Sequence, residues 1–166
     1  MSCAVNIDVR KASLDHQEEI VDLVYHALKN TQGFSLPLLP TRKNAEVFYR
    51  LEVIPCLINN DPAYLAYHGP NPIGFACCSL GANTAYDLSR PIALGVLTVT
   101  ATKYRRQGVA TELRKSMLAD LKQHNIESVL TEISDLNTDS ILSCQKLASD
   151  IDSKVFQISN KYECKI

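Results

Sequence analysis

The stretch from Ile92 to Leu121 constrains this chain more than any other. It opens on Ile92-Ala93-Leu94-Gly95-Val96-Leu97-Thr98-Val99, a short apolar run with β-branched residues, which predicts a buried strand. The link Thr100-Ala101-Thr102-Lys103 leads into Tyr104-Arg105-Arg106-Gln107-Gly108. Val109, Leu113, Met117 and Leu121 then recur at helical spacing. The order is strand, basic turn with one glycine, helix. The first turn of a helix presents unpaired main-chain N–H groups and the positive end of its dipole. A glycine in the entering turn can take positive φ and lets the backbone approach a ligand. Such a tip suits a diphosphate gripped by main-chain amides, with Arg105 and Arg106 adding charge. The alternative is a helix that starts after Gly108 beside two solvated arginines, and the spacing by itself leaves both open.

Arg105-Arg106-Gln107-Gly108-Val109-Ala110 resembles the Arg/Gln-x-x-Gly-x-Gly/Ala signature of the GCN5-related N-acetyltransferase (GNAT) superfamily, with Tyr104, Leu97-Thr98-Val99 and Leu113 in the expected neighbourhood. The resemblance implies that Arg105, Arg106, Gln107, Gly108, Val109, Ala110 and Thr111 hold the pyrophosphate of acetyl-CoA. It implies that the strand before them splays from its neighbour, so that Leu97, Thr98 and Val99 offer main-chain groups to the pantetheine arm and the thioester, with N–H groups near Leu97 and Val99 stabilising the oxyanion. One departure is visible: where the family usually has proline in the link, this chain has Thr100-Ala101-Thr102-Lys103, one residue longer.

A second signature of the family, Asn-x-x-Ala-x-x-Leu-Tyr-x-Lys-x-Gly-Phe, resembles the segment from Asn137 to Ser149. Asn137, Ser140 and Lys146 fit or nearly fit, whereas the tyrosine that often protonates the departing thiolate is Cys144. A thiol has a reference pKa of about 8.5 and is mostly protonated at neutral pH, so Cys144 is the candidate proton donor. The alternative is a buried structural cysteine. Asn137 is implied to contact the pantetheine arm and also suits a helix cap. No base stands out: Glu46, Glu52 and His26 are the nearest candidates, each with a bland reading as a solvated or packed helix residue.

Taken in order, the chain predicts a first strand at Val5–Arg10 and a helix opened by an Asp15/Glu18 capping box with Ile20, Val24, Ala27 and Leu28 on one face. An apolar loop, Phe34–Pro40, either lines an acceptor pocket or covers core. Thr41 caps a second helix carrying Ala45, Phe48, Tyr49 and Val53. Ala63–Tyr67 and Ile73–Leu80 form a strand pair, a polar loop follows to Pro91, and Ser128–Ile133, a helix from Asn137 and two short terminal strands complete the chain. Residues 1–166 form one domain. This order matches the α/β fold that the resemblance implies, a mixed, mostly antiparallel central sheet of six to seven strands flanked by about four helices.

Composition narrows the function. A net charge of −1 gives no electrostatic case for nucleic acid or an anionic membrane surface. None of the six cysteines forms a Cys-x-x-Cys pair or lies at zinc-ligand spacing with a histidine, so no metal is expected and reduced thiols in a cytoplasmic protein are the simplest account. Cys77 and Cys78 should face opposite sides of their strand. The N-terminus lacks the basic and apolar regions of a signal peptide, and no run reaches membrane-spanning length. The expectation is an enzyme, monomer or homodimer, that moves the acetyl group of acetyl-CoA directly to a primary amine. A small arylalkylamine- or polyamine-like acceptor suits the apolar, aromatic segment Phe34–Leu39 with Phe48 and Tyr49. A protein N-terminal or lysine acceptor, and a non-catalytic acyl-CoA-binding module, are the alternatives.

Overall fold

A computed structural model describes residues 6–30, 39–80, 92–133, 137–150, 155–158 and 161–165. The elements are β1 (Asp8–Lys11), α1 (Gln17–Asn30), α2 (Arg42–Phe48), α3 (Ile54–Ile58), β2 (Ala63–His68), β3 (Asn71–Ser79), β4 (Ile92–Thr100), α4 (Val109–Gln123), β5 (Ser128–Glu132), α5 (Thr138–Asp150), β6 (Val155–Ile158) and β7 (Lys161–Lys165). The expected apolar loop falls almost wholly on residues 31–38, and the polar loop on 81–91, both outside the described residues.

The strands form one mixed sheet of seven in the order β1-β2-β3-β4-β5-β7-β6. Only β4 and β5 run parallel; every other neighbouring pair is antiparallel. This is the mixed, mostly antiparallel α/β architecture the sequence led us to expect. Two apolar layers sandwich the sheet. On one face Ile20, Val24, Ala45, Phe48, Tyr49 and Val53 of α1, α2 and the turn after it pack on Leu65, Phe75, Cys77 and Val99. On the other, Val109, Leu113, Met117 and Leu121 of α4 pack on Ala66, Ala76, Cys78, Ala93 and Val129. Cys77 and Cys78 thus face opposite layers, as the strand period requires.

Local chemistry explains the helix ends. Thr41 caps α2, its hydroxyl accepting from the Asn44 N–H at 3.2 Å. The expected Asp15/Glu18 capping box is replaced by one two residues earlier: Ser13 N–H donates to His16 Nδ1 at 3.0 Å and opens a 3-10 turn, Leu14–His16, ahead of α1. Between α2 and α3, Tyr49–Val53 winds as a π-helix, with Ile54 N–H reaching Tyr49 O. Pro55 lies just beyond it and has no N–H for the carbonyl of Leu51, so the wider winding absorbs a break that a regular helix would not. On the exposed side Arg42 joins α2 to α1, pairing with Glu18 at 2.6 Å and with Asp22, and also with Glu46 of its own helix at 3.5 Å.

Two predictions follow from this core. Leu113 is fully buried beneath α4, so Leu113→Ala should destabilise the fold by about 2–5 kcal/mol in denaturant titration. Burial pushes the Asp61 carboxyl above the ordinary carboxylate range, against the pull of the Leu80 N–H and His124, and one of its oxygens has no partner. A folded pKa above the unfolded one means that stability falls as pH rises through the folded value. Asp61→Asn should therefore raise Tm at neutral pH, with the gain shrinking toward pH 4.

Candidate functional site

The site forms where β4 leaves β5. The parallel ladder pairs Ile92 with Ser128, Ala93 with Val129, Leu94 with Leu130 and Gly95 with Thr131, and stops there. Among the described residues, strand β4 runs on to Thr100 against β3 alone. The register against β3 shifts between Cys77, opposite Leu97, and Cys78, opposite Gly95, so Val96 is an extra residue in β4. Such a bulge bends and over-twists its strand, which carries the rest of β4 away from β5. Val96 and Leu97 consequently pack toward the same layer, beside α1 and α2.

The open edge of β4 has a definite chemistry. Ala101 N–H donates to Ile73 O at 2.9 Å, and Val99 lies opposite Phe75. In an antiparallel ladder, hydrogen-bonded pairs alternate with non-bonded ones. Val99 and Leu97 therefore turn their main-chain groups toward β3, and Thr98 and Thr100 turn theirs outward, to the side β5 has vacated. Arg105 Nε donates to Thr100 O at 3.5 Å, in keeping with that direction. The N–H groups of Leu97 and Val99, expected to face the gap, point to β3, and the main-chain groups of Thr98 and Thr100 face the gap instead.

The basic turn closes one end of the gap. A short 3-10 turn, Thr102–Tyr104, precedes it. Arg106 has φ 61° and Gly108 φ 88°, so the left-handed conformation occurs twice within three residues. Alternation of this kind curls successive N–H groups into an anion-binding concavity. Gly108 stands at the N-cap of α4 and supplies no side-chain cap. The first main-chain bond of the helix runs from Glu112 N–H to Gly108 O at 3.0 Å. The amides of Val109, Ala110 and Thr111 precede that bond, in the turn where a helix leaves its donors without helical acceptors. Thr41 at α2 and Asn137 at α5 cap their own helices, so α4 differs in presenting an uncapped tip to the gap.

The arginines divide. Arg105 is half-buried, its Nη1 donating to Asn30 O at the end of α1 at 3.3 Å and its Nε to Thr100 O. Its role here is to tie the turn, α1 and β4 together, a task not foreseen from the sequence. Arg106 is 84% exposed and reaches Asp139 of α5 at 3.5 Å across the mouth of the gap. Gln107 folds back onto Lys103 O at 2.8 Å.

Helix α5 lies beside α4 and the basic turn. Asn137 caps it, its Oδ1 accepting from Ser140 N–H at 3.3 Å and its main-chain oxygen from Ile141 N–H at 3.2 Å. Ser143 accepts from the buried Arg114 of α4 at 2.5 Å, which pins the two helices together. Cys144 is a free, half-buried thiol on the face that helical spacing shares with Asn137 and Ile141. The candidate bases resolve as surface groups: His26 and Glu52 are exposed, and Glu46 is paired with Arg42. Phe48 and Tyr49 belong to the core, but the Tyr49 hydroxyl is buried without a hydrogen-bond partner and its pKa is pushed up by that burial. The sequence offered Tyr49 as part of an apolar helix face and, with Phe48, as lining of an acceptor pocket. Among the described residues, no three His, Cys, Asp or Glu side chains cluster as a metal site.

A sequence model of the acetyltransferase (GNAT) family matches residues 25–147. No curated protein matches the chain. Solved structures share its fold at low identity. An N-acetyltransferase from Staphylococcus aureus Mu50 aligns at 16% identity and TM-score 0.69, over 96% of this chain and 96% of that one. PaiA N-acetyltransferase from Thermoplasma acidophilum, in complex with coenzyme A, aligns at 15% and 0.67, over 97% and 99%. YncA from Salmonella typhimurium, with its cofactor acetyl-CoA, aligns at 13% and 0.68, over 96% and 91%.

A Cβ built on Gly108 meets no atom within 4 Å, so the constraint there is its positive φ, not crowding. Gly108→Val should weaken CoA binding by about 1 kcal/mol or more in calorimetry, and Gly108→Asn, which tolerates the left-handed region better, should lose less.

Proposed function

The chain belongs to the acetyltransferase (GNAT) family, and on that premise we propose that it moves the acetyl group of acetyl-CoA directly to a small primary amine of arylalkylamine or polyamine kind. The observation that carries the donor half is the uncapped tip of α4 set beside the unpaired edge of β4. The two surfaces fit the two ends of the donor. The amides of Val109, Ala110 and Thr111 take the diphosphate, with Arg106 adding charge at the mouth. The outward groups of Thr98 and Thr100 pair with the amides of the pantetheine arm as a strand of β5 would have done. When bound, acetyl-CoA supplies an acyl group already activated as a thioester.

The remaining work belongs to the chain's own residues. The Thr98 N–H donates toward the thioester oxygen, where negative charge grows as the amine nitrogen forms its bond to the carbonyl carbon. As the carbon–sulfur bond breaks, the Cys144 thiol gives its proton to the departing sulfur and recovers one from the proton the amine releases. Its free thiol and half-burial on α5 support that assignment. The apolar character of the acceptor side, with Leu97 and Val96 packed toward α1 and α2, supports an amine carrying an apolar or aromatic body.

The test is a turnover assay with labelled acetyl-CoA against a panel of arylalkylamines, polyamines and peptides with free α-amines or lysines. Transfer to a small amine is the expected result. Binding of acetyl-CoA with no transfer to any acceptor would replace this reading with a non-catalytic binding module. Transfer to peptides alone would move the acceptor class. Cys144→Ala should lower kcat by roughly 10²-fold or more with little change in KM for acetyl-CoA; an unchanged kcat removes Cys144 from the mechanism.

A further inference from the structure

We propose that Gly74 is a positioning residue: by carrying no side chain it lets the first turn of α4 rest directly on β3, and so sets where the diphosphate-receiving amides stand relative to the open edge of β4. The inference rests on the donor half of the reading above.

Gly74 lies inside β3, opposite Thr100, and is buried. A Cβ at this position would sit 2.8 Å from Val109 Cγ1, 3.0 Å from Leu113 Cδ1 and 3.0 Å from Val99 O. Those three atoms belong to the two halves of the site. Val109 is the first residue of α4, 1% exposed, and its amide is the first of the donors at the tip. Val99 O is main chain in the segment of β4 that has parted from β5. Leu113 can shift the end of a flexible side chain. Val109 cannot, because a β-branched residue in a helix holds one χ1 rotamer. The carbonyl of Val99 is fixed by its ladder with β3. A methyl group at residue 74 must therefore lift the tip of α4, whose Val109 Cγ1 is the nearest atom.

The other described glycines differ. Gly69 and Gly108 have open space where a Cβ would stand, and Gly95 meets the Thr131 side chain at 3.1 Å. Gly74 alone among them has a contact under 3.0 Å, and it is the one where helix tip and strand edge meet. A glycine inside a strand commonly marks the close approach of another backbone. Here what approaches is the helix that carries the anion site.

Calorimetry with CoA, and with pantetheine as a control lacking the diphosphate, tests the assignment on the full chain. Gly74→Ala should raise the Kd for CoA roughly tenfold while leaving pantetheine binding within about twofold, because the displaced amides serve the diphosphate alone. In steady state the same variant should raise KM for acetyl-CoA with kcat within about twofold. Val109→Ala removes the Cγ1 atom that a new methyl would strike. In that background, adding Gly74→Ala should change the Kd by less than about threefold, a coupling that a general loss of stability would not produce. An unchanged Kd in Gly74→Ala, an equal loss for pantetheine, or no relief in the Val109→Ala background overturns the proposal, as does a double variant that fails to fold. Wild-type protein that takes up no CoA at all would instead overturn the donor reading itself.

Discussion

Strands β4 and β5 hold each other through four residue pairs and then part, and the site is built on that parting. A parallel pair in a sheet interior normally keeps its ladder, because unpaired main-chain groups away from water are costly. Here the extra residue at Val96 bends β4 while its other edge stays bonded to β3 as far as Thr100. The strand keeps half of its hydrogen bonds and leaves the other half for something else. Thr98 and Thr100 carry those groups. Among the described residues no strand takes the place that β5 leaves, and an extended ligand with amides of its own would match that edge.

The anion site follows the same logic of groups left unmatched. Helix α4 is long and amphipathic, and its core face, Val109, Leu113, Met117 and Leu121, anchors it on the sheet. That packing makes the helix stable without a cap, so its N-terminal amides are available for a charge. Arg105 fixes the geometry by holding carbonyls of α1 and β4, and Arg106 supplies the exposed charge. Arg114 and Ser143 then bind α5 to α4. These elements are thus held by polar contacts between positions distant in sequence.

Much of this was written locally in the chain. The strand–turn–helix order, the glycine before Val109, the Thr41 cap and the opposed faces of Cys77 and Cys78 each depend on residues within a few positions of one another, and each stood in the structure as expected. The capping of α1 failed for a local reason too: both Ser13/His16 and Asp15/Glu18 have the spacing, and the nearer pair forms a 3-10 turn that takes up the first donors. The π-helix after Phe48 had its signal in Pro55, whose missing N–H disturbs the turn before it.

By itself the sequence determined which segments bond within themselves and which faces are apolar, because periods of 2 and 3.6 and the chemistry of caps and turns act over short distances. Tertiary structure alone decided which edge of β4 stays open, since that depends on a bulge read only against β3. It also decided that Arg105 serves the backbone and Arg106 the solvent, since their partners, Asn30 and Asp139, lie far along the chain. The meaning of Gly74 belongs to the same group. A glycine inside a strand says only that something comes close, and it takes the packed helix to say what.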